Sequence, residues 1–169
     1  AYKMSANDAE HISDMLFTTV RLGKTTFGEL GQSIAQVAPI AAAYGVEMEQ
    51  VLAAVATLTK QGTPTAQAMT QIRAAIVGVS KYLGDGAYEG RTFQEALELV
   101  RQKADGSEAK LREFIPEIEA VNGLLGLTGK NAQEASEHLS EMGNSVGASN
   151  SAYGKMKEVG ENQLKLFQN

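Results

Sequence analysis

Apolar residues recur three or four positions apart along almost the whole chain, and period-two alternation never lasts for more than a few residues. A repeat of about 3.6 residues is typical of an amphipathic helix, whereas strands alternate with a period of two. The pattern therefore predicts an all-α fold of about six to eight short helices. Pro39 and Pro116 fall inside two of the predicted helices, and each predicts a kink or a break there.

Local signals mark where several of these helices begin. Thr26 and Glu29 have the spacing of a capping box, in which the threonine accepts a backbone N–H and the glutamate reaches back. The same spacing recurs at Thr92 and Glu95. Both pairs come just before a run of apolar residues at helical spacing, so we expect a helix to start at each.

The helices group into two predicted halves and a tail. The N-terminal half, 1–83, includes a helical hairpin over 46–83, where the periodicity is clearest. A glycine-rich loop over 84–90 separates it from a C-terminal half over 91–143. A loosely ordered helical tail is predicted over 144–169.

The tail carries large apolar residues near helical spacing: Tyr153, Met156, Val159, Leu164 and Phe167. Gly154 and Gly160 interrupt it, and each lowers the stability of a helix interior by about 1 kcal/mol relative to alanine. We therefore expect this helix to be loose or to need a partner.

Composition and charge narrow the classes of function. Hydrophobic residues make up 43% of the 169 residues and charged residues 21%, which argues against wholesale disorder. A net charge of −5 disfavours nucleic-acid binding, because an acidic chain repels phosphates. There are no cysteines, and no stretch approaches the roughly 20 apolar residues of a membrane span. The opening AYKMSANDAE has no signal-peptide core, and we expect the chain to be part of a longer helical protein.

The stretch GLLGLTGKN, at 123–131, has some features of a phosphate-binding loop. Such a loop has the form G-x-x-x-x-G-K-[ST] and follows a buried strand. With Gly129 and Lys130 as the GK pair, the first glycine falls at Leu124, and Asn131 stands where the magnesium ligand is required. The preceding residues have helical spacing. The sequence therefore predicts no nucleotide site here.

The two histidines are the other candidates for chemistry. His11 and Asp14 lie three residues apart on one predicted helix face, as in a two-ligand metal clip. Two ligands are too few, so a solvated surface pair is favoured. His138 has Glu134 and Glu141 at helical distance, and a surface charge cluster is favoured there.

The remaining carboxylates and the methionines predict no site. Glu117 and Glu119 point to different faces of their helix and form no catalytic dyad. Four methionines lie on apolar stripes: Met15, Met48, Met69 and Met142. We interpret them as residues that fill the core, in preference to a promiscuous binding surface. The chain has no HExxH or GxSxG motif. We therefore predict no catalytic, cofactor-binding or metal-binding residues, no cofactor and no enzymatic activity.

Several stretches resemble the core region of tape measure proteins from long-tailed phages and prophages. They are FGELGQSIAQVAPIAAAYGVEMEQV and ATLTKQGTPTAQAMTQIRA within 15–76, AVNGLLGLTGKNAQEASEHLSEM over 120–142, and GASNSAYGKM over 147–156. The resemblance extends over about 15–156 and is weakest over 84–112. It implies that GLLGLTGK is a helix–helix connection.

The resemblance implies a structural protein of the virion, in the tail lumen or tail tip, with host cytoplasm as its place of assembly. Such proteins help to set tail length, organise the tail tube and leave ahead of the DNA. The implied partners are the tail tube protein, tail assembly chaperones and tail tip or baseplate proteins. Host membrane contact during ejection is a further expectation. The thin apolar stripes favour a homo-oligomer, and the family's motifs place no catalytic residue on this chain.

Two alternatives stay open: a membrane-active helical module, in which the apolar 37–58 region opens and inserts during DNA injection, and a non-viral all-α protein-interaction domain. A simple molecular ruler would be a rod of about 250 Å at 1.5 Å per residue. The caps, glycines and prolines instead divide the chain into short helices, each of which needs neighbours to be stable. We therefore expect a compact multi-helix module within a longer helical protein.

Overall fold

The computed structural model describes the backbone of residues 6–167 and the side chains of residues 8–159 and 161. All regular secondary structure in that part of the chain is helical, which confirms the all-α prediction. The α-helices are α1 Ala6–Leu22, α2 Phe27–Ser33, α3 Ala38–Tyr44, α4 Met48–Lys60, α5 Thr65–Leu83, α6 Phe93–Lys103, α7 Glu108–Phe114, α8 Ile118–Leu127, α9 Ala132–Gly143 and α10 Ala148–Phe167. Short 3₁₀ helices at Ile34–Gln36 and Gly129–Asn131 precede α3 and α9.

The described residues form ten α-helices rather than six to eight, because both predicted proline breaks divide a helix. Pro39 lies in the first turn of α3, after the 3₁₀ turn that separates α3 from α2. Pro116 follows Ile115, which has an extended backbone and ends α7. Proline fits the first turn of a helix but not its interior, so each proline starts a new helix or separates two.

Both predicted capping boxes form. The Oγ1 of Thr26 accepts from the backbone N–H of Glu29, and the carboxylate of Glu29 accepts from the backbone N–H of Thr26. Thr92 and Glu95 make the same reciprocal pair at the start of α6. These local signals fix the starts of α2 and α6 at the predicted residues.

The predicted hairpin is α4 and α5, joined by a four-residue connection, and α4 lies at the centre of the fold. Nine consecutive residues of α4, at 51–59, are buried, since α1, α5, α8 and α9 all pack against it. A helix that is buried on every side needs small or apolar residues all round. Alanines and the threonines Thr57 and Thr59 meet that need, with each hydroxyl donating to a carbonyl of its own helix.

Glycines in α8 allow that helix to lie very close to its neighbours. A Cβ added to Gly123 would lie 2.9 Å from the backbone oxygen of Gln71 in α5. A Cβ added to Gly126 would lie 2.5 Å from Cδ2 of Leu58 in α4. Both glycines are helical, so the connection implied for GLLGLTGK is wrong for most of that stretch. The chain leaves α8 only at 128, and residues 128–131 form the connection.

One hydrophobic core includes side chains from both sides of the 84–90 loop. Ile72 and Ile76 of α5 belong to it, as do Leu97 of α6 and Leu124 of α8. The division of the chain into halves at this loop stays a prediction. Helices α1, α2 and α3 also contribute to this core, whereas α10 packs on α1 and adds none of its described side chains to the core.

Candidate binding groove

An apolar groove of about 660 Å³ lies between α1, the α2–α3 segment and the start of α4. We call it the α1–α4 groove. Helix α1 contributes Asp8, His11, Ile12, Met15 and Leu16 to its lining. The α2–α3 segment contributes Gly31, Ile34, Ala35, Ala38 and Pro39, and the α4 side contributes Glu47, Met48, Glu49 and Leu52.

The groove is open because the α2–α3 segment presents small side chains to it. Gly31, Ala35 and Ala38 are too short to fill the space above α1 and α4. A Cβ added to Gly31 would meet no heavy atom within 4 Å. Gly31 lies in α2, Ala35 in the 3₁₀ turn and Ala38 at the start of α3, so the broken helix distributes these small residues along one side of the groove.

Methionines contribute to the groove as well as to the core. Met69 and Met142 are fully buried, as the core-filling interpretation predicts. Met15 is buried too, but it also forms part of the groove wall. Met48 is only partly buried, and its flexible thioether lies where a bound side chain would contact it.

The rim of the groove is acidic. Glu47 is exposed, and the carboxylate of Glu49 accepts a hydrogen bond from His11, with Nε2 and Oε1 3.0 Å apart. Asp8 also lies at this rim. His11 thus contacts a carboxylate of α4, and the sequence-based pairing of His11 with Asp14 as a solvated surface pair is wrong.

Asp14 is only 1% exposed and serves as an anchor for α10. Its carboxylate accepts from the backbone N–H groups of Gly147 and Ser149, at 2.7 and 2.8 Å, and from the Ser149 hydroxyl. The hydrogen bond from the Ser149 side chain holds the pKa of Asp14 below its usual value, against the opposite effect of burial. This arrangement satisfies N–H groups at the start of α10 that have no partner within the helix.

His138 is buried, so the predicted surface cluster is wrong for this residue. Its Nδ1 lies 2.8 Å from Oγ1 of Thr57. Because that hydroxyl donates to the carbonyl of Ala53, its oxygen is left to accept, and Nδ1 of His138 carries the proton. Burial lowers the pKa of His138, which favours the neutral ring.

The two glutamates beside His138 do lie at the surface, and each pairs with a cation from another helix. Glu134 lies 2.7 Å from Lys60 of α4, and Glu141 lies 2.7 Å from Arg21 of α1. These ion pairs connect α9 to both helices. They are exposed, so each contributes about 1 kcal/mol or less.

Glu117 and Glu119 are not a dyad, because Glu117 pairs with Lys81 at 3.5 Å and Glu119 is partly buried elsewhere. Among the described residues, no three histidine, aspartate or glutamate side chains come close enough together to hold a metal ion. Within the same part of the chain, no helix has the length and apolar character needed to cross a bilayer. The groove itself is an apolar trough with carboxylates at its rim, and such a surface suits an amphipathic helix with basic residues beside its apolar face.

Comparison with known proteins identifies the family. The model of the family described as phage-related minor tail protein matches residues 1–118. A probable tape measure protein of Clostridium phage phiCD119 is 32% identical over 188 aligned positions, which include 99% of this chain and 20% of that protein. The chain thus spans about a fifth of the length of this relative, and no solved structure matches it. The resemblance inferred from the sequence is confirmed, and the chain belongs to the phage-related minor tail protein family.

Proposed function

We propose that this chain is a structural, non-catalytic segment of a tape measure protein, and that it acts in tail length determination, tail tube assembly and genome ejection. The observation that carries the proposal is the similarity to a probable tape measure protein along 99% of the chain. The family membership supports a role in the tail and removes the alternative of a non-viral interaction domain.

The proposed partners are the other components of the tail. They are the tail tube protein, the assembly chaperones and the tip or baseplate proteins, together with further copies of this chain. The proposed location is the tail lumen or tail tip in the virion, and the host cytoplasm during assembly. Because the chain spans only 20% of its relative, these partners belong to the proposal for the whole protein.

The fold supports a compact module rather than a stretch of rod. Its described α-helices are 7 to 20 residues long, and the longest would span about 30 Å. Most of them pack against α4 or α5 and contribute apolar side chains to one core. We propose that the module acts at the tail tip, or unfolds for passage through the tube, and that the ruler proper lies elsewhere in the protein.

The test is tail length after in-frame deletion of residues 15–156 from the phage gene, measured by electron microscopy. If the segment is read as a rod, tails become shorter by about 210 Å. The compact module instead predicts either no tails or tails of unchanged length that fail to infect. Tails of normal length and normal infectivity would contradict a structural role in the tail.

A membrane-active module is the second candidate, and the exposed face of α10 is the observation that favours it. Met156 and Val159 are exposed there beside Lys155 and Lys157, and lysines beside an apolar face suit an anionic bilayer, while the exposed Glu158 and Glu161 oppose that charge. Dye release from anionic liposomes on addition of the chain would support this candidate. Intact liposomes at the same protein concentration would contradict it.

A further inference from the structure

We propose that the exposed apolar face of α10 in one copy of this chain docks in the α1–α4 groove of a second copy. The proposed function includes association with further copies of this chain, and the docking contact rests on that part of it. The contact names the two surfaces through which the copies would associate. The two surfaces differ from each other, so the contact is heterologous and leaves a free groove on one copy and a free α10 on the other.

Helix α10 presents an apolar stripe that the described part of its own chain leaves uncovered. Tyr153, Met156 and Val159 are 70%, 72% and 57% exposed. They are spaced three residues apart, so they share one face of the helix. Lys155 and Lys157 are exposed on the two sides of that stripe, and Lys157 also pairs with Glu161 at 3.9 Å, whereas Lys155 has no ion-pair partner among the described side chains. An amphipathic helix of this kind binds by placing its apolar face in a groove.

The α1–α4 groove has the shape and the charge to receive that stripe. Its walls include the partly buried side chains of Ile12, Leu16 and Met48, which pack inward against the core and leave their outer surfaces to the groove. The carboxylates of Glu47 and Glu49 lie at the rim, where they complement lysines beside a docked stripe. Charge complementarity therefore favours α10 as the occupant.

The geometry of α1 places the two surfaces on opposite sides of the same helix. Asp14 binds the first turn of α10, and Glu10, one turn before Asp14 in α1, accepts from Asn150 in the same turn of α10. At about 100° per residue, Glu10 and Asp14 face away from the side of α1 on which Ile12 and Met15 line the groove. While its first turn stays anchored, α10 lies on the side of α1 opposite its own groove, and a second copy brings the two surfaces together.

A single contact of this type is weak. About two turns of one helix bury less surface than the roughly 800 Å² per partner of a standard stable interface. Copies held in parallel within one assembly would meet at a high effective concentration, which strengthens such a contact without any new surface. We therefore expect reversible association of the isolated chain that becomes detectable as its concentration rises.

Two variants of the 169-residue chain test the two surfaces separately. Gly31→Arg fills the groove and adds a positive charge that repels the lysines of α10, and a Cβ at this position meets no other atom. Met156→Asp places a charge in the apolar stripe. Gly28→Arg is the matched control, since Gly28 lies in the same helix, is equally free of neighbours and does not line the groove. Circular dichroism verifies that each variant is folded, and Ala35→Arg replaces Gly31→Arg if that variant unfolds.

Sedimentation velocity over about a hundredfold range of concentration measures how strongly each chain associates. The unmodified chain and Gly28→Arg should associate equally as concentration rises. Gly31→Arg and Met156→Asp should each associate at least about tenfold more weakly. An unmodified chain that stays monomeric throughout would overturn the proposal, as would equal association of all four chains.

Mixing the two defective variants is the decisive step. Gly31→Arg retains its α10 and Met156→Asp retains its groove, so the mixture should form a dimer with twice the mass of one chain and no larger species. An α10–α10 contact would instead leave Gly31→Arg associated by itself and give no dimer specific to the mixture, which would overturn the proposal. The tail-length experiment is independent of this result, so failure of the docking contact is distinguishable from failure of the tail function.

Discussion

The centre of α4 and the outer part of α10 use apolar residues in opposite ways. Residues 51–59 are buried on all sides, while the large apolar side chains of α10 between 153 and 159 face outward. A glycine of the packed interior and one of α10 differ in the same way: a Cβ on Gly123 of α8 would press on the backbone of Gln71 in α5, whereas a Cβ on Gly154 of α10 would meet no heavy atom within 4 Å. The core residues therefore stabilise the module, whereas the exposed apolar face of α10 is available for a partner to contact.

The largest contrast is expected from removing one side chain in each region. Ile72→Ala leaves a cavity in the core and should lower the free energy of unfolding by about 4 kcal/mol. Val159→Ala removes an exposed side chain and should change it by less than about 0.5 kcal/mol. Urea unfolding of both variants measures the difference. A similar loss for both would mean that α10 is part of the core in solution.

A side chain at Gly123 should break the close contact between α5 and α8. The Cβ of Gly123→Val would press on the backbone oxygen of Gln71, which cannot rotate away, and we expect a loss of about 3 kcal/mol. Gly143→Ala is the control, because that glycine is helical and has open space around it. The control should leave stability unchanged or raise it, and a large loss there would show that glycine packing is not the cause.

The anchor of α10 should have an intermediate effect. Asp14→Ala removes the acceptor of the Gly147 and Ser149 amides and should cost about 1–2 kcal/mol. Asp14→Asn keeps an acceptor oxygen and should cost less. Amide hydrogen exchange at 147 and 149 locates the effect, and unchanged protection of both amides in Asp14→Ala would contradict the anchoring role.

The same carboxylate gives a pH dependence of known sign. The pKa of Asp14 is lower in the folded chain than its usual 3.8, so the folded state favours the ionised form. The resulting stability is fully present above the unfolded pKa and is lost as the pH falls through the folded pKa. The Gly147 and Ser149 amide resonances should therefore titrate below pH 3.8 in the unmodified chain, and that titration should be absent in Asp14→Asn.

The smallest expected effect is a gain. Gly154→Ala removes backbone freedom in an exposed helix and should stabilise α10 by about 0.5–1 kcal/mol, with little change in the unfolding of the core. Circular dichroism reports the added helix, and hydrogen exchange of α10 amides reports where it forms. A loss of helix would show that Gly154 is held against a neighbour.

The sequence predicts those features of the fold that depend on neighbouring residues. The capping boxes at Thr26 and Thr92 and the breaks near Pro39 and Pro116 each depend on a few consecutive positions, and all four occur in the structure. The helical spacing of Tyr153, Met156 and Val159 in the tail also depends on nearby positions, and these residues lie in α10 as predicted. Leu164 and Phe167 lie outside the described side chains.

The candidate site depends on contacts between distant residues, which one sequence does not reveal. Asp14 binds Gly147, which is 133 positions away, and His138 binds Thr57, which is 81 positions away. The sequence-based interpretation of Asp14 and His138 as surface groups is wrong because it could not include these contacts. The groove is harder still to predict, because it is an empty space. It exists where the short side chains of Gly31, Ala35 and Ala38 line the break between α2 and α3. Small residues in a sequence do not distinguish such an opening from a close helix contact like that at Gly123.

Small-angle X-ray scattering of the Met156→Asp chain tests the central claim most directly, since this variant should stay monomeric at the concentrations needed. A compact module of 169 residues predicts a radius of gyration of about 15 Å. A continuous helical rod of the same length predicts about 70 Å and a thin-rod profile. The first result would support a folded tail module with an exposed docking helix, and the second would contradict it.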